Sequence, residues 1–409
     1  MSVSPMDSSV GASRTVAPRL FLFGNGIYGD HVAGGDVHFL EVAKRAHSAG
    51  YSLHFFGGKA LEKRLSKLGV PYGLTLTNDH VLDKSCEQSF GGQLVLFFDY
   101  FKRLCRSLRR LRQIRAEDFA YAMADGWFDV LPVALSRAKG KMMILHMEAP
   151  TLRQILCRSR PDVDTFRVAA LHYWMSQQLA LRLFRASRHK HIFHVHPNMR
   201  ARLLKLGFKE NEISYVSYGL DAETADTVPE PGKIYDAVWI GRIHHQKGIE
   251  DLLQTLAGLA RELPDFRAII IGRAGEALAS QIKNLGLSQQ VEFSGFVSEE
   301  EKVRLLKASR VFLMPSRHEG SPRTVGEALL CHLPVVAYDV ETYRPIFGDL
   351  VRYVPCFDLE KFKAEAKEQI LKMRAGENYL ARTDLKQFRK ENSWATVGEV
   401  FCNALARLR

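Results

Sequence analysis

The chain holds 409 residues, 46% of them hydrophobic and 25% charged, with a formal net charge of +12. That length predicts two or more domains, each with its own core. The composition excludes a disordered chain, and no apolar run is long enough for a membrane-spanning helix. The positive charge points to phosphate-bearing partners without choosing among nucleic acid, anionic lipid and nucleotide ligands.

Residues 1–17, "MSVSPMDSSVGASRTVA", are small and polar and lack the basic start and apolar centre of a secretory signal; they read as a floppy leader. "RLFLF" reads as a buried strand feeding a G-x-G-x-x-G spacing at Gly24, Gly26 and Gly29. A dinucleotide site would open its helix at the third glycine and end the next strand in an acid. Here the helix begins only after "AGGD", residues 33–36, and the next strand, "YSLHFF", ends in Gly57, Gly58 and Lys59. The spacing therefore fails as a dinucleotide fingerprint. Gly34 and Gly35 open the helix, where bare backbone N–H groups can approach a phosphate or sugar; the alternative is a flexible turn.

"LVLFFDYFKRLCRSLRRLRQIR" follows. Residues 96–115 hold seven Lys or Arg against one Asp. Phe97, Phe101, Leu104, Leu108 and Leu111 recur at helical spacing, with Lys102, Arg106, Arg109, Arg110 and Gln113 on the other side. One reading is an in-plane helix on an anionic lipid surface. The other is an outer helix that packs its stripe on the sheet and solvates its basic face. "MMILHM" and "HIFHV" complete the strands of this half, and the D-x-D at Asp162 and Asp164 between them reads as a loop coincidence, not a metal site.

"DAETADTVPEPGKIYD" breaks the pattern and places a domain boundary near residue 225. Beyond it "AVWIG", "RAIIIG", "VEFSG", "VFLMP" and "PVVAY" read as strands, separated by helical runs such as "GIEDLLQTLAGLARELP" and "SEEEKVRLLKAS". Alternation of this kind predicts α/β domains with parallel sheets covered on both faces. Six scattered cysteines with no C-x-x-C fit a reducing cytoplasm.

Two stretches of the second half carry chemistry. In "AVWIGRIHHQKGIEDLLQTL", Gly241 allows a tight strand exit, and Arg242 and Lys247 lie five residues apart in the turn. Such a pair suits a diphosphate, the guanidinium forking across oxygens and the ammonium acting as a point charge. In "VFLMPSRHEGSPRTVGEALLCHLPVVAYD", Ser321 suits an N-cap and Pro322 the first helical position. The amides of Arg323, Thr324 and Val325 would then face an anion. Glu319 precedes this helix and Glu327 lies within it, placed to accept hydrogen bonds from sugar and ribose hydroxyls.

Together "GRIHHQKG", "IIIGRAGE", "VEFSGFVSEEE" and "MPSRHEGSPRTVGEALLCHLPVVA" resemble the donor-binding domain of retaining, family 4-like GT-B glycosyltransferases (glycosyl transferases group 1), strongly over residues 234–357. The acidic pair Glu319 and Glu327 is similar to that family's signature. "AGGDVHFLEVAKRAHSAGYSLHFF" resembles its opening strand-to-helix passage. His146 matches a strand-end histidine bordering the reacting sugar, with Glu148 one position beyond the family's usual acid. Tyr218 stands where the family has Asn, and "SWATVGEVFCNAL" resembles its final helix.

The resemblance implies two Rossmann-like, doubly wound domains facing across a cleft. Their division would be residues 18–225 on the acceptor side, residues 226–392 on the donor side, and a helix within 393–409 crossing back. It implies transfer of a sugar, a hexose, from a UDP- or GDP-sugar to a glycan or lipid-linked acceptor, with retention and with no metal required. The catalytic residues implied are Arg242, Lys247, Glu319 and His146. The donor would be bound by Gly34, Gly35, Gly241, Arg242, Lys247, Arg273, Phe296, Val297, Glu319, Gly320, Ser321, Arg323, Thr324 and Glu327, with Arg317 also converging on the cleft. Gly24, Gly26 and Gly29 would close over the nucleotide from the opposite side. Polysaccharide biosynthesis in the cytoplasm, at the inner face of the cell membrane, follows from the same resemblance, with residues 96–115 as the membrane contact. Nucleic acid is not the expected partner, since no recognised motif or interleaved aromatic platform accompanies the charge. A nucleotide-sugar epimerase on the same architecture is the enzymatic alternative, and a basic membrane or nucleic-acid binder the non-catalytic one.

Overall fold

A computed structural model describes residues 17–29, 33–82, 89–157, 167–243, 245–272 and 275–409. The leader up to residue 16, the D-x-D and Arg273 lie outside the described residues. The first sheet comprises β1 (Arg19–Gly24), β2 (Ser52–Gly57), β3 (Tyr72–Leu76), β4 (Phe119–Ala122), β5 (Gly140–Leu145), β6 (Lys190–His194) and β7 (Ile213–Tyr215). The second comprises β8 (Tyr235–Ile240), β9 (Ala268–Ile271), β10 (Val291–Gly295), β11 (Ser309–Met314), β12 (Val335–Tyr338) and β13 (Arg352–Val354). Their orders are β3-β2-β1-β4-β5-β6-β7 and β10-β9-β8-β11-β12-β13. Every described pairing is parallel. Strand order reverses beside β1 and β4 in one sheet and beside β8 and β11 in the other. These are the switch points where ligands settle in doubly wound sheets.

Side-chain alternation sets the layers. Leu20 and Leu22 of β1 join the core on one face, Phe21 and Phe23 the core on the other. A strand buried on both faces has no polar positions to spare, which is why "RLFLF" is apolar from Leu20 onward.

Helix Trp394–Arg407 packs back on the first lobe, its Val397, Phe401 and Leu405 sharing a core with Leu20 and Leu22. The chain thus crosses between lobes twice, side by side. The amide of Leu220 donates to Asn392 O at 2.7 Å, and Gly219, at φ +69°, lies under the Trp394 ring where a Cβ would collide. The boundary expected at 225/226 falls inside helix Ala222–Thr227, which packs against helices Glu299–Lys307 and Arg323–Leu330 of the second lobe. The crossing is earlier, at 217–221, because Leu220 and Ala225 are already buried in the second core.

Helix Phe90–Arg110 corrects the expected stripe. It buries Leu96, Tyr100 and Leu104 and half-buries Leu108, with Leu111 half-buried in the turn that follows, but leaves Phe97 and Phe101 exposed. The inward face also carries Asp99, Arg103 and Ser107, so polar groups take core positions that the apolar spacing had assigned elsewhere.

His38 sits fully buried between the lobes' crossing segments, edge-on to Tyr218 and near Trp394. Neither ring nitrogen has a hydrogen-bond partner among the described residues. Burial, assisted by His146, pushes its pKa down to about 3. The unfolded chain takes up that proton below the ordinary histidine value, so stability is complete above it and lost as the pH falls toward 3. Buried Asp129 works in the opposite sense, so the effect is read as a difference. Relative to wild type, His38→Phe should gain about 2 kcal/mol between about pH 7 and about pH 5. Denaturant unfolding at both pH values checks this; a pH-independent difference would sink it.

Candidate functional site

The loop after β1 is built for rigidity. The amides of Asn25 and Gly26 donate to Asp129 at 2.6 and 3.2 Å. Arg103 donates to Asn25 O and Ile27 O at 2.7 Å each, and pairs with Asp99 at 2.6 Å. Burial pushes the Asp129 carboxyl up to about 8, opposed by those two amides and by Arg103. A Cβ at Gly24 would meet Phe39 and Leu61, and one at Gly26 would meet Phe128. The sequence reading had these glycines closing over a nucleotide. Gly24 and Gly26 instead face packed neighbours, and the amides that would greet a phosphate already donate to a buried carboxyl group.

Gly34 and Gly35 open helix Gly34–Ser48. Gly34 has nothing within 4 Å of where a Cβ would stand, whereas Gly35 lies against the His146 ring at 3.4 Å. Their amides carry no hydrogen bond among the described residues.

His146 follows β5. Its Nδ1 accepts from Tyr218 Oη at 2.8 Å, and its Nε2–H donates to Met123 O at 2.7 Å. Tyr218 remains a donor because burial pushes its pKa far up. Burial lowers that of His146, so the ring is held as one neutral tautomer. The two rings stack at 5.6 Å, which explains an aromatic where the family has Asn. With both nitrogens engaged, a hydrogen bond from His146 to a sugar requires releasing one of these partners. Glu148 is drawn aside by Arg202 at 2.7 Å.

Asp125, which the sequence reading did not single out, lies beside this ring. It accepts from Tyr173 Oη at 3.0 Å and from Gln177, and burial raises its pKa. Tyr173 and Gln177 also donate to Met147 O, tying the loops after β4 and β5 together. Its signal was the acid three positions past "FAYA", a four-residue strand too short to be recognised.

In the second lobe, the loops after β8 and β11 are joined. Gln246 donates to His318 O at 2.7 Å, and Arg317 N donates to Gln246 O at 2.8 Å. Gly248, at φ +66°, brings the chain so close to Pro315 O that a Cβ would overlap it. Lys247 thereby meets Glu319, Nζ to Oε1 at 2.6 Å. Arg242, beside half-buried Gly241, is exposed and has no partner among the described residues. Arg317 is directed at Asp251 and His245 rather than toward the acidic pair. Gly320 crosses to the first lobe, where a Cβ would overlap His146 O, with Met147 Cγ at 2.9 Å.

The expected N-cap shifts by one residue. Helix Arg323–Leu330 begins after Pro322, whose ψ of 96° keeps it outside the helix, and Ser321 makes no capping bond. Val325 N donates to Pro322 O at 3.1 Å, leaving the Arg323 and Thr324 amides without partners among the described residues. Glu327 is a buried acid, not a solvated one. Lys302 Nζ reaches its Oε1 at 2.9 Å and Arg323 Nε reaches the same oxygen at 3.1 Å. Lys302 escaped the sequence reading because it sits in an ordinary charged helix, Glu299–Lys307, 25 positions from its partner. Oε2 of both Glu319 and Glu327 carries no hydrogen bond among the described residues. Phe296, at the end of β10, is 71% exposed, and Val297 packs on the second core.

Residues 223–382 match the family model for glycosyl transferases group 1. The chain is 29% identical over 152 residues to a 2-deoxystreptamine glucosyltransferase of Streptomyces kanamyceticus, covering 33% of this chain and 39% of that relative. It is 25% identical over 227 residues to an alpha-galactosylglucosyldiacylglycerol synthase of Streptococcus pneumoniae, covering 51% of this chain and 57% of the relative. The matches thus span less than two thirds of these relatives' lengths. HepE of Anabaena, solved with UDP and glucose, has a similar structure: TM-score 0.67 at 16% identity, over 95% of this chain and 99% of HepE. The two-sheet architecture of this chain is the GT-B fold of that structure, and its residues 223–382 are similar to the glycosyl transferases group 1 family.

Proposed function

We propose that the chain transfers a sugar, a hexose, from a UDP- or GDP-sugar to an acceptor hydroxyl of a glycan or lipid-linked glycan, with retention of configuration. The observation that carries this is the state of the two carboxylates. Each of Glu319 and Glu327 is buried, is held by cations on one oxygen, and keeps the other free to accept from a hydroxyl. They flank the Arg323 and Thr324 amides at a helix mouth, where the helix dipole favours an anion.

On this reading Glu327 Oε2 accepts from the ribose hydroxyls and Glu319 Oε2 from the donor sugar. The diphosphate lies against Arg242, Lys247 and the free amides. Charge growing on the leaving diphosphate meets groups already fixed in place, so the proposal assigns neutralisation to these cations and not to a metal. Phe296 and Val297 flank the base, and Gly34 and Gly35 give the donor a bare backbone from the first lobe. His146 borders the sugar, its orientation set by Tyr218 and Met123. The retained configuration is consistent with the leaving phosphate accepting the acceptor's proton. The name of the streptococcal relative, an alpha-galactosylglucosyldiacylglycerol synthase, supports a lipid-linked acceptor; the reading puts the transfer at the inner face of the cell membrane, in polysaccharide biosynthesis.

Calorimetry against UDP-, GDP-, ADP- and TDP-sugars tests the reading. One of the first two should bind, and Glu327→Gln should weaken it by about tenfold to a hundredfold, on the scale of a charged hydrogen bond. Binding by none of the four would overturn the proposal.

A further inference from the structure

Helix Arg167–Ala186 turns one face toward the loops after β4 and β5, and His172, Tyr173, Ser176 and Gln177 share that face. His172 and Ser176 accept from Nε1 and N of Trp127, at 3.3 and 3.1 Å, which fastens the helix to helix Trp127–Leu135. Tyr173 and Gln177 reach Asp125 and Met147 O instead.

Gln177 is fully buried, and every polar atom of its amide is in use. Its Nε2 donates to Asp125 Oδ2 and to Met147 O, the latter at 2.8 Å, while Oε1 accepts from Ala149 N at 3.1 Å. The Tyr173 hydroxyl lies 3.0 Å from Asp125 Oδ2 and 3.1 Å from Met147 O, but it has a single proton and can serve only one of them at a time. The amide alone therefore holds carboxyl and carbonyl together. A methionine of similar length would donate nothing, and a glutamate at most one proton.

The two loops that Gln177 joins are also the two that fix His146. Met123 O, which accepts from His146 Nε2, belongs to the loop after β4, and Met147 follows His146 in the loop after β5. From the other lobe Gly320, next to Glu319, packs so closely on His146 O and the Met147 side chain that no Cβ fits between them. The Gln177 amide thus stands one hydrogen bond behind the point where the two lobes meet at the Glu319 loop.

We propose that Gln177 is a positioning residue for transfer: by holding Asp125 and Met147 O to a single amide, it sets where the His146–Met147 segment stands against Glu319 and Gly320. Its part in turnover rests on the sugar-transfer reading; the fixing of the segment does not. Gln177→Met removes all three bonds. Turnover should fall about tenfold to a hundredfold, the scale of a reacting group displaced by about 1 Å, while affinity for UDP or GDP, held by the second lobe, should stay within about twofold. Gln177→Glu keeps the native shape, carries the test if the methionine variant fails to fold, and sets a second carboxyl against Asp125. Two buried carboxyls at hydrogen-bond distance share one proton, and one pKa is raised. Below that raised pKa the shared proton replaces the amide hydrogen toward Asp125; above it the pair repels and opens. The turnover ratio of this variant to wild type should therefore be largest at about pH 5 and decline toward about pH 9. His146, Tyr173, Tyr218 and Asp129 also face Asp125 and are common to both proteins, so the ratio isolates the added carboxyl. Ser176→Ala is the control, since Ser176 bonds to Trp127 N and to neither Asp125 nor Met147; its melting temperature should fall with turnover unchanged. Hydrogen exchange reads the segment without turnover, and the Ala149 amide should lose about tenfold or more of its protection in Gln177→Met and keep it in Ser176→Ala. Near-wild-type turnover in Gln177→Met, a pH-independent ratio for Gln177→Glu, an equal turnover loss in Ser176→Ala, or unchanged exchange at Ala149 would each overturn the proposal. Lost protection at Ala149 in a chain that turns over no nucleotide sugar would leave the fixing of the segment standing and remove the transfer reading.

Discussion

Lys247→Ala should lower turnover by about two to three orders of magnitude, the usual effect of removing one fixed electrostatic group from a charge-developing site. Its ammonium lies 2.6 Å from Glu319, so both would be disturbed at once. Glu319 is 7% exposed, and stripping a buried carboxylate of its cation destabilises by about 3 kcal/mol. Lys247→Ala should therefore lose stability as well as turnover, while the double variant Lys247→Ala/Glu319→Gln recovers stability alone. Arg242→Ala provides the contrast. Arg242 is exposed and unpartnered among the described residues, so its removal should cut turnover with the melting temperature unchanged. Steady-state release of nucleoside diphosphate, with thermal melts on the same samples, reads both quantities. Near-normal turnover in both single variants would remove the diphosphate assignment.

Gly248→Ala should destabilise the second lobe by about 3 to 5 kcal/mol, among the larger effects of a single methyl. Two penalties add. The residue sits at φ +66°, in the left-handed region that side chains resist. Its Cβ would also overlap Pro315 O, a backbone atom that cannot rotate aside. Relief requires separating the loops after β8 and β11, which carries Lys247 away from Glu319, so turnover falls too. Gly34→Ala is the control for stability. That position has nothing within 4 Å of a Cβ and should shift unfolding by less than about 1 kcal/mol. Equal melting curves for Gly248→Ala and wild type would show that the loops are not in contact.

Much of the fold was readable from local pattern. β1, β2, β5, β6 and the first five strands of the second sheet each contain a short apolar run, because parallel strands in the middle of a sheet bury both faces. The strands that escaped are short or at sheet edges. β4 has four residues, β7 and β13 have three, and edge strand β3 is half exposed. None supplies enough periodicity to stand out from a buried turn. In the site, Arg242, Lys247, Glu319 and Glu327 were legible because their spacing falls within single strand–turn–helix passages. Ser321 was misplaced as a cap because sequence cannot show that Pro322 takes ψ 96°.

Composition, hydrophobic period and a few short spacings therefore determined the class of architecture and the residues eligible for chemistry, since each of these acts over a turn of helix or a length of strand. Tertiary structure alone decided the partners. Lys302 reaches Glu327 across 25 positions, Tyr218 reaches His146 across 72, and Asn25 reaches Asp129 across 104. It also decided that the glycine loop donates to a buried carboxyl group and that six apolar side chains of one helix face outward. Such pairings depend on which sheet edge two distant segments share, and no local preference of the chain encodes that.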